Sequence, residues 1–227
     1  MMRPLITIVI SLFLIIALSG CFSVEKYNNF IKEKTGIIKA QSAPDSNDYL
    51  TVKSDAMMDA DSSLHSKKVK NSFIPAILYW QWNYSIESNL GHNVPVNVIR
   101  PAIFNYAESM SLKDKLNGKH LEISIKKVPS SFTYTQKGMA LIFIIGYSVQ
   151  GQEVIYPSND ELVVSYRILN NGSETKRGTI TVRETGQPVS NRKLKSAKKF
   201  TWAYIDDYYG DIQGMSKSVL NQIVAEI

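Results

Sequence analysis

The sequence predicts an α+β fold, a two-layer sandwich in which a mainly antiparallel sheet of about five strands is covered by two helices, behind a leader and a polar tether. Three observations predict it. Alternation of apolar and polar residues over 78–86, 121–126 and 162–168 has the period of strands. Two other stretches, 96–110 and 205–227, carry apolar residues at steps of three and four, the period of helices with one buried face. The composition is that of a globular chain: 227 residues, 44% hydrophobic, 10% aromatic and 20% charged, with one cysteine. A single cysteine excludes an internal disulfide and any site that needs several thiolates.

The chain opens with Arg3 and a run from Leu5 to Leu18 interrupted only by Thr7 and Ser11. As a helix this run would reach roughly 21 Å, short of the ~30 Å hydrocarbon core of a bilayer. A positive start, a short apolar stretch and small residues at its end form the pattern of an export signal. The residues that close it, Leu18-Ser19-Gly20-Cys21, resemble the lipobox of bacterial lipoproteins, in which an aliphatic residue and two small residues precede the modified cysteine. The resemblance covers about the first tenth of the chain. It implies cleavage between Gly20 and Cys21, a diacylglyceryl group on the Cys21 sulfur and acylation of the new amino terminus. Two or three acyl chains would attach the mature chain to a membrane without spanning it. Phe22 follows the cysteine where an aspartate would favour the inner membrane in enterobacterial relatives, so the resemblance implies the cell envelope, with the outer membrane favoured.

Residues 1–20 are thus read as the leader, 21–72 as the lipidated N-terminus and tether, and 73–227 as the head. Within the tether, Val24, Tyr27, Phe30 and Ile31 share a helical face and Gly36 is a stop signal, whereas Ala43–Ser66 lacks periodicity and reads as a spacer. The first strand of the head places Leu78, Trp80, Trp82, Tyr84 and Ile86 on one side. Gly91-His92-Asn93 is a turn. The helix after it requires Pro101 in or near its first turn, where the missing N–H does least harm. Asn117-Gly118 closes that unit.

Strands follow at Leu121–Ile125, at Met139–Val149 and at Leu162–Ile168, and Asn170-Asn171-Gly172-Ser173 turns the last of these into a hairpin with Thr175–Arg183. The run Met139–Val149 is apolar on both faces in its first half and reads as one central strand of a meander. A basic loop precedes a closing helix marked by Ile205, Tyr208, Ile212, Met215, Val219, Ile223 and Ile227, with Asp206 and Asp207 near its positive end. This element order loosely resembles small auxiliary lipoproteins of bacterial envelope transport systems.

No catalytic residue, metal site or cofactor is read from the sequence. Gly146-Tyr147-Ser148-Val149-Gln150 lacks the second glycine of a nucleophile elbow and continues into strand. His65, His92 and His120 show no metal-binding spacing, and no glycine-rich phosphate loop is present. Two features are candidates for binding. Trp80, Trp82 and Tyr84 would fill a core or line an apolar groove. Arg192, Lys193 and Lys195, followed by Lys198 and Lys199, lie in a stretch with no acid from Thr185 to Ile205 and would suit an anionic surface.

The expected function is therefore a non-catalytic, lipid-anchored envelope component that binds another envelope protein. A carrier of lipid or another apolar ligand in an aromatic groove is the alternative, and an envelope hydrolase in which His92 or His120 approaches a carboxylate or Ser148 in a cleft is the third. The formal charge of +6 would permit nucleic-acid binding, but the exported address excludes it.

Overall fold

A computed structural model describes residues 23–37, 45–54, 63–143, 145–158, 161–183, 186–193 and 195–227. Gly20, Cys21 and the apolar leader lie outside the described residues. The architecture is α+β, as the periodicities require, with nine strands in two sheets among the described residues. In chain order the elements are α1 (Val24–Gly36), β1 (Leu50–Ser54), β2 (His65–Pro75), β3 (Tyr79–Asn89), α2 (Asn93–Ser109), α3 (Leu112–Leu116), β4 (His120–Lys127), β5 (Ser131–Phe143), β6 (Gly146–Pro157), β7 (Glu161–Asn170), β8 (Ser173–Arg183), β9 (Val189–Ser190) and α4 (Ala197–Ala225).

The first sheet has the order β1-β4-β7-β8 and is antiparallel except for the parallel pair β1–β4. Alternation drives it: Leu121, Ile123 and Ile125 on β4 and Leu162, Val164, Tyr166 and Ile168 on β7 face the core. The β7–β8 turn uses Asn171 and Gly172, both at positive φ, as a two-residue hairpin demands. The second sheet, β2-β3-β5-β6-β9, is wholly antiparallel. Strands of both sheets, α1, α2 and α4 share one hydrophobic core that includes Tyr27, Ile86, Ile99, Tyr134, Ile205 and Val219.

Several sequence expectations need correction. The single sheet of about five strands, a four-stranded meander joined by the aromatic strand, is replaced by two sheets, because β5 and β6 pair with the aromatic strand β3 rather than with β4 and β7. The segment given to a tether is built into the head: Tyr27 and Ile31 of α1 are fully buried, and the spacer contains β1, whose Leu50 and Val52 are core residues beside β4. Short apolar pairs such as Leu50/Val52 leave too little periodicity to see from sequence. They find their register only against a partner strand.

The first helix of the head extends from Asn93 to Ser109, so Pro101 lies in its middle rather than its first turn. The apolar stripe Val96, Ile99, Ile103 and Ala107 runs unbroken past the proline and packs on α4, which outweighs one lost backbone hydrogen bond. The closing helix starts at Ala197, two turns earlier than its apolar residues suggested, where the Ser196 side chain accepts from the Lys199 N–H. Lys198 and Lys199 thus belong to its first turn and not to the basic loop.

Candidate functional site

The most distinctive surface is the outer half of the second sheet. Between Lys70 and Glu87, and again between Lys137 and Glu153, the sequence has no charged residue. Each of these intervals folds into a hairpin: β2 and β3 are joined through 76–78, and β5, ending at Phe143, pairs with β6, starting at Gly146. Because Tyr79 is the partner of Leu141 in the β3–β5 ladder, the two turns lie at the same end, and the four strands form one blade projecting from the core. The run Met139–Val149, read as a single central strand, is therefore two strands and a tip. Its apolar residues on both faces mark exposure, since Ile145 is 98% exposed and Tyr147 79%. Ile77, at the neighbouring tip, is 92% exposed, and Phe73, Leu78, Phe143 and Val149 are each more than half exposed.

The cross-strand register assigns the two faces of this blade. Phe73, Trp80, Trp82, Ala140, Ile142, Tyr147 and Val149 share one face, which continues downward into the core through Ile86, Tyr134 and Ile155. The opposite face carries Ser72, Gln81, Asn83, Lys137, Ser148, Gln150 and Gln152, turning apolar near the tip at Ile74, Leu141 and Phe143. The aromatic strand is thus split between two roles. Ile86 is buried, Tyr84 packs on the core margin, and Trp80 and Trp82 lie half-buried on the apolar face of the blade. Trp82 is fitted to its neighbours: a methyl group placed on Gly138, its direct cross-strand partner, would come within 2.3 Å of Trp82 Cζ2 and 2.4 Å of the Gln150 carbonyl oxygen. The glycine makes room for the indole.

Where the blade meets the body, cations and aromatic rings gather. Lys68 lies 5.2 Å from the Tyr84 ring centroid, and Lys70 and Lys137 bound the charge-free zone. A cleft of about 470 Å³ at the base is lined by Trp82, Gln136, Gly151, Glu153, Asn191, Arg192 and Lys195. Asn191 fixes it, donating from Nδ2 to Glu153 Oε2 at 2.5 Å and to the Lys195 carbonyl at 2.6 Å, while Glu153 also accepts from the Tyr134 hydroxyl at 3.0 Å. The structure therefore brings Trp82, Arg192 and Lys195 together. Trp80 and Tyr84 lie on the same face without lining the cleft, and Lys193 stands apart on the exposed loop. Among the described residues no carboxylate pairs with Arg192, Lys193 or Lys195.

The histidines serve the fold. His92 Nε2 is 2.5 Å from Ser54 Oγ and His120 Nε2 is 2.8 Å from Thr51 Oγ1, so both hold the short strand β1. Burial pushes the His92 imidazole below its ordinary pKa. Ser148 is on β6 in the other sheet, and His65 contacts the Ser63 carbonyl. A larger depression of about 670 Å³ on the outer face of the first sheet is lined by Lys53, Glu122, Arg167, Glu174 and Arg177, but its arginines and glutamates pair with each other, Arg167 with Glu122 and Arg177 with Glu174.

The exposed hairpin tips were the feature that sequence reasoning missed. The available signal was the two uncharged intervals of similar length, each ending in a turn. Comparisons with protein-family models, with curated proteins and with solved structures found no match to this chain.

Proposed function

We propose that this chain is a non-catalytic, lipid-anchored protein of the bacterial cell envelope whose twin-hairpin blade enters the hydrocarbon of the membrane to which it is anchored. The observation that carries the reading is the blade itself: two adjacent hairpins without a charge, apolar at both tips, with one face apolar from Phe73 and Trp82 outward to the tips, above a polar row of Asn71, Gln136 and Glu153. A contiguous exposed patch of this kind marks an interaction with a membrane or partner, whereas scattered surface hydrophobics do not. Lipid is favoured over a protein partner by what surrounds the patch. Trp80 and Trp82 sit tipward of Tyr84, which lies among a collar of Lys68, Lys70, Lys137, Arg192 and Lys195, the groups that a bilayer interface selects, with aromatics at the headgroup level and cations against anionic phosphates.

The placement of α1 supports the same reading. Val24, its first residue, is three positions after Cys21, and the helix packs on β2 and α4. The Asn28 side chain accepts from the Ser66 hydroxyl on β2, and the Trp202 indole N–H donates to the Phe30 carbonyl. A lipid on Cys21 would then hold the head against the membrane instead of letting it range on a long tether.

The test uses the full-length chain carrying Trp202→Phe, reconstituted in phospholipid vesicles with brominated acyl chains. Trp80 and Trp82 are then the only indoles, and insertion predicts that bromine at the acyl chains quenches them strongly. Emission unchanged from that in unbrominated vesicles would overturn the reading. Binding of one anionic amphiphile in the cleft beside Trp82, Arg192 and Lys195 is the second reading, and it predicts a saturable change in emission on adding a dispersed lysophospholipid below its micellar concentration.

A further inference from the structure

The blade has two open edges. Among the described residues β2 has no further strand on one side, and on the other β9 covers β6 only at Val154 and Ile155, with no strand on the outer side of Gly146–Gln152. The base of the first edge carries the usual protections against strand addition: Lys67, Lys68 and Lys70, with a bulge between Lys68 and Lys70. Those devices stop where the charge-free zone starts. From Asn71 to Ile74, and from Gly146 to Gln152, both edges present regular backbone with no charge, no proline and no bulge.

We infer that copies of this chain join edge to edge, β6 of one against β2 of the next, and close into a membrane-inserted antiparallel barrel to which each copy gives four strands. The inference rests on the proposed entry of the blade into lipid. In hydrocarbon an open sheet edge is not viable, because every unpaired backbone N–H and C=O lacks a partner and costs more than an average apolar side chain returns. Pairing between copies removes both edges at once.

The geometry selects which edges meet. β2 runs toward the tip and β6 runs away from it, so a β6–β2 contact between copies standing side by side in one membrane is antiparallel like every other pair in the blade. It also keeps Phe73, Trp80, Ile142 and Val149 on one continuous outer surface. A β2–β2 contact in the same membrane would be parallel and would turn the apolar face of one copy toward the polar face of the other. The contact is heterologous, and a head-to-tail contact closes into a ring when the rotation between copies returns to the first one, which the removal of every open edge in hydrocarbon requires. Strand number is then a multiple of four, in keeping with the even numbers of single-chain outer-membrane barrels.

Length is compatible. Counting the turns, each strand contributes about seven to nine uncharged residues, ~24–31 Å of extended chain. At a tilt of ~40° that reaches ~18–24 Å, against the ~25 Å apolar band of such barrels. The face carrying Ser72, Gln81, Asn83, Gln150 and Gln152 would line the interior, with Leu141 and Phe143 at its far rim.

The experiment is disulfide crosslinking of the full-length chain in its membrane. Ser72→Cys is combined in turn with Ser148→Cys, Gln150→Cys and Gln152→Cys, which share the inner face at two-residue steps and so sample the stagger between copies. At least one pair is expected to give a ladder of dimer, trimer and higher species ending at one ring size, with Trp80 and Trp82 quenched by brominated lipid. The mass of the unsubstituted chain in detergent micelles gives the copy number independently of any variant's folding. A single-copy mass with no ladder, or crosslinking by Ser72→Cys alone, would overturn the inference while quenched tryptophans leave the membrane reading standing. Loss of quenching would overturn both.

Discussion

Replacing the two tip residues, Ile77→Asp and Ile145→Asp together, separates folding from membrane entry. Both side chains are more than nine-tenths exposed, so the head gains almost nothing from them on folding, and substitutions at such sites usually stay within ~0.5 kcal/mol. In hydrocarbon the same residues would be fully buried, each contributing ~1.5–3 kcal/mol. Losing both removes ~3–6 kcal/mol from insertion, before any penalty for the carboxylates. Since ~1.4 kcal/mol is tenfold, the ratio of inserted to withdrawn blade falls by at least about 100-fold. The assay is quenching of Trp80 and Trp82 by brominated acyl chains in the Trp202→Phe background, beside thermal unfolding of the same protein in detergent. Quenching should be lost and the unfolding temperature unchanged. A variant that is quenched like its parent, or that unfolds many degrees lower, would refute the assignment of the tips to lipid.

Three further outcomes follow from particular contacts. Gly138→Ala puts a methyl group against Trp82 and the Gln150 carbonyl and should cost about 1–3 kcal/mol, read as a lower unfolding temperature, whereas Gly146→Ala, with nothing within 4 Å of the added carbon, should be neutral. His92 is held neutral by burial, so the unfolded chain binds the extra proton first as pH falls below about 6.5, and stability should decline from there until the folded imidazole also titrates. His92→Gln should flatten that part of a melting-temperature profile between pH 7.5 and 5.5. Reversing two cations at the cleft, Arg192→Glu with Lys195→Glu, should weaken the preference for anionic over zwitterionic vesicles, each lost cation being worth ~1 kcal/mol at such a surface. Vesicle binding of the two lipid compositions, compared at low and high salt, measures it.

The parts of the fold that were legible in sequence are those in which one face is wet and the other dry. β4, β7 and the β7–β8 turn announce themselves because Leu121-Glu122-Ile123 and Asn171-Gly172 leave no other economical reading. The helical face of Val24, Tyr27, Phe30 and Ile31 was equally visible. That it joins the core was not, because a stripe of four apolar residues fits a membrane interface as well as a protein interior. The same ambiguity hid the blade. Met139–Val149 is apolar on both faces, and periodicity cannot tell a strand buried on two sides by protein from a hairpin awaiting a different apolar surroundings. Of the candidate site, Trp82, Arg192 and Lys195 were identified individually, but their meeting depends on β6 lying beside β3 through β5, a long-range pairing with no local signature.

The distribution of stabilising contacts explains how one chain can carry such a blade. The ladder from Ser131 to Thr135 and from Val154 to Pro157 is anchored by buried Phe132, Tyr134 and Ile155, and Tyr134 stacks against Tyr27 of α1 with ring centroids 5.0 Å apart. Beyond that level the strands continue by hydrogen bonding and by Trp82 lying over Gly138, with little core beneath them. The body can therefore fold before the tips meet any partner, and the tips add little to its stability. In water, though, an uncharged blade with two open edges is a template for aggregation. The arrangement is tolerable only if the blade finds its apolar surroundings quickly. α1 provides the means, since it starts three residues after the proposed lipid site and packs directly on β2, the first strand of the blade. On the proposed reading, attachment to the membrane would make blade insertion an intramolecular step at high effective concentration, instead of a search by a free hydrophobic surface.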